Sequence, residues 1–213
     1  MKIRNRLVLV DDHSVMRELV RYQLARTEPD RYEIVGEGST GQEGVDICLR
    51  TYPDLLLLDM MLPGLNGVEV FRRLKPKLPR LKVLYFSATA KAPLISEAFE
   101  LGASGFVGKP RPWNTVLEAV NLVADGGKYY DPSVAHLAGR AARQPEAEDL
   151  TCREREVAQL IAEGNSTKEI ASLLGVSAKT IDKHRTRLME KLRVHDAVAV
   201  TRYAILSGLV SLE

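Results

Sequence analysis

Two cysteines, one tryptophan, no long apolar run and almost no net charge mark what this 213-residue sequence has little of. Cys48 and Cys152 stand far apart and outside any paired motif. That excludes a disulfide framework and predicts two buried or half-buried thiols in a reducing cytoplasm. No stretch reaches the roughly 18 consecutive apolar residues a membrane-spanning helix needs. The opening "MKIRNRLVLVDD" has too short an apolar run, and no small-residue cleavage site, for a secretory signal. No internal repeat and no low-complexity segment is present. The formal net charge of +2 says little about partners, but its distribution says more. Residues 178–193 carry six bases (Lys179, Lys183, Arg185, Arg187, Lys191, Arg193) against two acids, Asp182 and Glu190. A locally basic helix points to nucleic acid.

What is present is an ordinary globular composition, 45% apolar and 27% charged, at a length that suits two small domains. Over the first 125 residues, apolar runs alternate with amphipathic stretches of ten residues or more. The runs are "RLVLVDD" (6–12), "YEIVGEG" (32–38), "DLLLLD" (54–59), "LKVLYFSA" (81–88) and "SGFVGK" (104–109). Continuous apolar strands separated by helical patterns predict βαβ units and a parallel sheet. Five units give an α/β domain over 1–125, a flavodoxin-like (βα)5 fold with strand order 2-1-3-4-5. Residues 126–149 read as a linker with a short helix over 133–143 and a polar, Pro-containing end, "RQPEAED". Residues 150–213 read as an all-α domain. There "TCRE" and "STKE" fit capping boxes, Thr151 with Glu154 and Ser166 with Glu169, and Gly164 and Gly175 stand where helices stop.

Right-handed crossovers make all five strands point the same way, so their C-terminal ends share one rim. That rim collects Asp11 and Asp12 from the first strand and Asp59 from the third. Ser87 comes from the fourth strand and Lys109-Pro110 from the fifth. Singly, such residues are turn-formers, helix caps or solvated charges. Together they are a site. Three carboxylates brought close would repel without a cation, and hard oxygen ligands with room for water suit Mg²⁺. Lys109 and Ser87 add a point charge and a hydroxyl fit to grip an anion. His13, next to the acid pair, is assigned to the first turn of the first helix, and Trp113 to an anchor at the start of the fifth.

These residues resemble the receiver domain of two-component response regulators, and the resemblance covers residues 1–125. It implies that Asp59 in "LLLLDMMLPG" is the phosphoacceptor. It implies a Mg²⁺ held by Asp12, Asp59 and the Met61 backbone carbonyl, with Asp11 acting through water. It implies that Ser87 is the switch hydroxyl and Lys109 the phosphate-binding lysine. Phe106 becomes the aromatic that turns inward on activation. A sensor histidine kinase is the implied donor.

In the second domain, "STKEIASLLGVSAKTIDKHRTRLMEKL" (166–192) reads as two helices around a tight turn. Ile170, Leu173 and Leu174 form the apolar face of the first. Ser177 caps the second, in which Ile181, Leu188 and Leu192 point inward. Lys179, Lys183, Arg187 and Lys191 recur every four residues as a basic row, as a recognition helix in a major groove requires. Residues 150–213 resemble the LuxR-type helix-turn-helix, a four-helix domain, matching "LTxRExEVxxLIAxGxSxKEIAxxLxxSxxTxxxHxxxxxxKL". Receiver plus this domain defines the NarL/FixJ branch of response regulators. The resemblance implies contacts to double-stranded DNA from Lys179, Lys183 and Arg187, with Thr180 on a phosphate. Asp182 puts an acid at or beside the groove-facing surface, to accept from a cytosine amino group or to tune affinity. In the last helix, "DAVAVTRYAILSGLV", the resemblance makes Val198, Val200 and Ala204 candidates for a homodimer contact on DNA.

The expected function is thus a phosphorylation-dependent transcriptional regulator in which phosphoryl transfer to Asp59 controls dimerisation and promoter binding. An Asp nucleophile at a strand end also serves phosphatases of the haloacid dehalogenase group. Those need a second Asp two residues on as general acid, where this chain has Met61. A receiver working only as an unphosphorylated interaction module is disfavoured by the complete set of pocket residues.

Overall fold

Runs of Leu and Val build a sheet buried on both faces, because each strand carries apolar side chains to both sides. The computed structural model describes residues 4–138, 150–192 and 194–210. The chain divides into two units, Met1–Arg143 and Gln144–Glu213.

In the first unit β1 (Asn5–Val10), α1 (Ser14–Thr27), β2 (Tyr32–Gly38) and α2 (Gly41–Thr51) lead to the central β3 (Leu55–Leu58). Then come α3 (Gly67–Leu74), β4 (Lys82–Ser87), α4 (Ala92–Glu100), β5 (Gly105–Gly108) and α5 (Trp113–Ala124). A sixth strand, β6 (Tyr129–Tyr130), and a short α6 (Ala135–Ala138) follow. All pairings are parallel and the order is β2-β1-β3-β4-β5-β6. The expected order is present with one strand added. Two residues show no period, so β6 leaves no trace in the sequence pattern. The helix expected over 133–143 is α6 as far as Ala138, and residues 139–149, "RQPEAED" among them, lie outside the described residues.

Alternation along β3 divides the core. Leu56 and Leu58 pack with α2, α3 and α4, and Leu55 and Leu57 pack with α1 and α5. All four are buried, each worth roughly 1.5–3 kcal/mol. That apolar anchorage holds the residue that follows β3.

The second unit contains α7 (Cys152–Ala162), α8 (Thr167–Leu173), α9 (Ala178–Leu192) and α10 (Ala197–Leu206). Both capping boxes are present, Thr151 with Glu154 and Ser166 with Glu169. Gly164 and Gly175 adopt positive φ just past α7 and α8. The core is built on Val157, Ile161, Ile170, Ile181, Leu188, Val200 and Ala204. Leu173 departs from its expected inward place and is 63% exposed. The inner face of a helix this short is set by its neighbours, and Ile170 and Ala171 fill it. No helix among the described residues is long and apolar enough to cross a membrane.

Candidate phosphoryl pocket and nucleic-acid interface

Asp59 directly follows β3, where its amide donates to Val10 O at 2.8 Å, and its side chain is nearly buried. The chain then turns back sharply. Gly67 at the start of α3 sits so close that a Cβ there would lie 2.3 Å from the Asp59 carbonyl oxygen, so this return of the chain requires glycine. Asn66 caps α3 through Glu69 N.

A carboxylate buried at this point needs partners, and the neighbouring strand ends supply them. Ser87 Oγ, at the end of β4, donates to Asp59 Oδ1 at 2.7 Å, and the Met61 amide donates to the same oxygen at 3.1 Å. Lys109 Nζ, just past β5, lies 2.5 Å from Asp59 Oδ2 and 2.7 Å from Asp11 Oδ2. Burial alone would lower the Lys109 pKa. The Asp59 and Asp11 carboxylates outweigh burial and raise it above the ordinary lysine value, so the ammonium stays charged.

Asp11, Asp12, His13 and Asp59 bring one ligand atom each within 4.8 Å of one another. One ammonium neutralises only part of three carboxylates, so the donor set retains the negative charge and hard oxygens that suit a divalent cation such as Mg²⁺. His13 is the residue that sequence reasoning left out. It precedes α1 as its N-cap residue rather than lying in the first turn. Its amide donates to Asp11 Oδ1 at 2.9 Å, and its Nδ1 lies 2.7 Å from Asp12 Oδ1. Adjacency to the acid pair was the available signal. Arg17 was also missed, and its guanidinium donates to the Asp11 carbonyl.

Asp11, Asp12, Asp59, Met61, Ser87 and Lys109 are thus brought together. Phe106 lies elsewhere. It is fully buried on β5, opposite Tyr85 of β4. The inward movement expected of it has no outward starting point here, and Ser87 already touches Asp59. Trp113 opens α5 and packs on the core, as expected.

In the second unit Ser177 accepts from Thr180 N at 3.1 Å at the start of α9. Lys179, Lys183 and Arg187 are exposed along that helix, with Asp182 exposed beside them. Thr180 is half-buried, its hydroxyl 2.8 Å from Ser177 Oγ. Lys191 leaves the basic row. It bonds Glu154 of α7 at 2.7 Å and so ties two helices of its own unit. Arg185 likewise turns to Thr167 at 2.9 Å. Of the three residues expected at a dimer contact, Val200 and Ala204 are fully buried in their own core, while Val198 is 79% exposed. A side chain already buried has no surface to offer a second copy, so Val198 alone of the three is available.

Residues 7–121 match the family described as response regulator receiver domain, and residues 148–204 match bacterial regulatory proteins of the luxR family. The chain is 33% identical over 224 residues to the transcriptional regulatory protein DegU of Brevibacillus brevis, covering 96% of this chain and 94% of DegU. It is 35% identical over 210 residues to the transcriptional activator protein ExaE of Pseudomonas putida, covering 96% and 97%. RcsB of Salmonella enterica serovar Typhimurium, solved bound to a promoter in the presence of phosphomimetic BeF3⁻, superposes with a TM-score of 0.60 at 25% identity, over 98% of this chain and all of RcsB.

Proposed function

The chain belongs to the response regulators that join a receiver to a LuxR-type domain, and from that premise we propose that Asp59 is phosphorylated to control binding of α9 to promoter DNA. The observation that carries this is the double hold on one buried carboxylate, Ser87 on Oδ1 and Lys109 on Oδ2. A carboxylate held from both sides is oriented for attack, and the two groups that hold it are those an attached phosphoryl group would need.

Asp59 attacks the phosphorus of a phosphohistidine on a sensor histidine kinase, or of a small acyl phosphate. The new O–P bond forms as the bond to the leaving nitrogen or oxygen breaks. Asp12, Asp59 and the Met61 carbonyl, with Asp11 acting through water, would hold a Mg²⁺, which would supply charge neutralisation for the transferring group. The Lys109 ammonium, already on Asp59, neutralises it as well. At 2.7 and 2.5 Å from Asp59, Ser87 and Lys109 leave no room for a phosphoryl group between them and the carboxylate. Both must yield outward and re-bond to the new oxygens, which bring roughly −1.5 to −2 of charge. That displacement of the β4 and β5 ends is the signal.

Lys179, Lys183 and Arg187 then supply the DNA contacts with Thr180 near a phosphate. Asp182 adds a base-reading or affinity-tuning acid, and Val198 part of a contact between two copies. The reaction is stoichiometric self-modification, not turnover of a substrate.

The test treats full-length protein with acetyl phosphate in Mg²⁺. It follows intact mass and the affinity for a promoter fragment. Wild type should gain one phosphoryl group and bind more tightly, and Asp59→Asn should gain none while keeping its fold. A phosphoryl group on the Asn variant would move the acceptor elsewhere.

A further inference from the structure

Resting on that reading of the pocket, we infer that Asp131 is a positioning residue for Lys109, a buried carboxylate clamping the loop that aims the lysine at Asp59.

Asp131 follows β6 and is 1% exposed. An ionised group so buried persists only when fully hydrogen-bonded, and five donors converge on it. Arg111 grips it bidentately, Nε to Oδ2 at 2.7 Å and Nη2 to Oδ1 at 2.6 Å. The Ser133 amide and hydroxyl reach Oδ1 at 3.0 and 2.9 Å, and the Gly108 amide reaches Oδ2 at 3.3 Å. Bidentate, charge-assisted pairs of this kind fix direction as well as proximity. The Arg111 guanidinium, with the Ser133 and Gly108 donors, holds the Asp131 carboxyl well below the usual carboxylate range, so the clamp carries its charge at neutral pH.

Two of its partners, Gly108 and Arg111, bracket Lys109 and Pro110. The loop is closed further by Arg111 N to Gly108 O and by Lys109 N to Ser87 O, both at 3.0 Å. Lys109 therefore leaves a loop pinned on both flanks by one carboxylate. Its long side chain, 9% exposed, starts from a fixed point. The Asp131 amide donates to Phe106 O at 3.0 Å, so the clamp also engages the strand before the loop. The edge it clamps from is itself anchored. Tyr130 stacks edge-on against Phe99 of α4, centroids 4.8 Å apart. Val134 and Leu137 join the core that contains Phe106. Docking of β6 and α6, the segment leading out of the first unit, is thereby made a condition for aiming Lys109.

Position matters here because misplacement of a charged group by about 1 Å can cost up to 10²-fold in rate. The test uses the full chain as wild type, Arg111→Ala and Asp131→Asn, with two readouts. One is the rate of phosphorylation at saturating acetyl phosphate, checked by intact mass. The other is the rate at which acetic anhydride labels Lys109, read by peptide mass spectrometry. Lys82, whose ammonium donates to Ala124 O at the opposite strand ends, is the internal control. Asp131→Asn should phosphorylate roughly tenfold slower and expose Lys109 to faster labelling with Lys82 unchanged. Arg111→Ala, which leaves the Ser133 and Gly108 bonds in place, should fall between it and wild type. Unslowed phosphorylation, slowing without a change at Lys109, or equal gains at Lys109 and Lys82 would each overturn the assignment. A wild type that accepts no phosphoryl group would overturn the phosphoacceptor reading together with it. A phosphorylated wild type matched by Asp131→Asn would overturn the clamp alone.

Discussion

In the first unit the charges assigned to function, the exposed Asp12 apart, are buried or nearly so and touch one another; in the second they are exposed and stand apart. Asp59 and Asp11 are nearly buried and share the Lys109 ammonium, whereas Lys179, Lys183 and Arg187 project from α9. A buried network stands or falls as a unit, because removing one member leaves its partners desolvated and unpaired. Exposed cations contribute separately to a polyanion, each through the counterions it releases. The pocket should therefore respond to single substitutions as a switch, and the helix should respond by increments.

That contrast is sharpest at α9. Against the complete loss expected of Asp59→Asn, Lys183→Ala and Arg187→Ala should each weaken promoter binding. Where the side chain sits on a DNA phosphate, its removal should reduce the slope of log K against log salt by about 0.9. Where it reads a base, removal should cost about 1–3 kcal/mol and act selectively on one sequence position. The double variant should lose close to the sum if the sites are independent. Salt titrations of the three variants measure both quantities. Binding unaffected by either substitution would take α9 out of the groove.

The same contrast explains what was legible in the sequence. β1, β3 and β4 were visible because burial on both faces leaves nearly unbroken apolar runs, β2 and β5 because shorter apolar runs recur between helical stretches, and the pocket followed because parallel strands must end on one rim. Burial on a helix face was harder to read. Leu173 and Val198 are apolar yet exposed, and Lys191 is basic yet committed to Glu154. Which side of a short helix faces inward depends on the neighbour that reaches it. β6 and the Asp131 clamp escaped for a related reason, since β6 pairs with β5 and Arg111 and Gly108 reach Asp131 across 20 residues or more, with no periodic mark.

A smaller effect should come from Met61, beside the pocket but half-exposed. Its amide holds Asp59, and its side chain packs against the core. A thioether is a poor acceptor, so it offers an attacking water no orientation. Thr89, whose amide reaches Ser87 Oγ, is a nearby side chain able to do so. Met61→Asn should hasten loss of phosphate from purified phosphoprotein about tenfold, below the range of a full general base. Phosphate release from wild type, Met61→Asn and Thr89→Ala gives the comparison. A wild type as fast as Met61→Asn would show that the thioether does not protect the bond and would blur the distinction between a sealed pocket and an open helix.

The smallest effect expected tests whether the two units are energetically separate. Glu154 is buried, and burial pushes its pKa up, but the bonds from Lys191 and Thr151 outweigh that and lower it. A folded pKa below the unfolded value of about 4.3 stabilises the fold at every pH above that value. The contribution is lost as pH falls from there through the folded pKa. Lys191→Met keeps the apolar stem and removes the charge, so it should cost the second unit about 1 kcal/mol at pH 7, the scale of a partly exposed ion pair. As pH falls from about 4.3 through the lowered folded pKa the cost should shrink, because protonated Glu154 no longer rewards the ammonium. Trp113, the single tryptophan, lies in the first unit and reports its unfolding by fluorescence, while far-UV circular dichroism reports both units. In urea at pH 7, Lys191→Met should move the circular dichroism transition and leave the Trp113 transition where it is. If both move together, the units unfold as one. The buried pocket and the exposed helix would then share their stability even though they divide the chemistry.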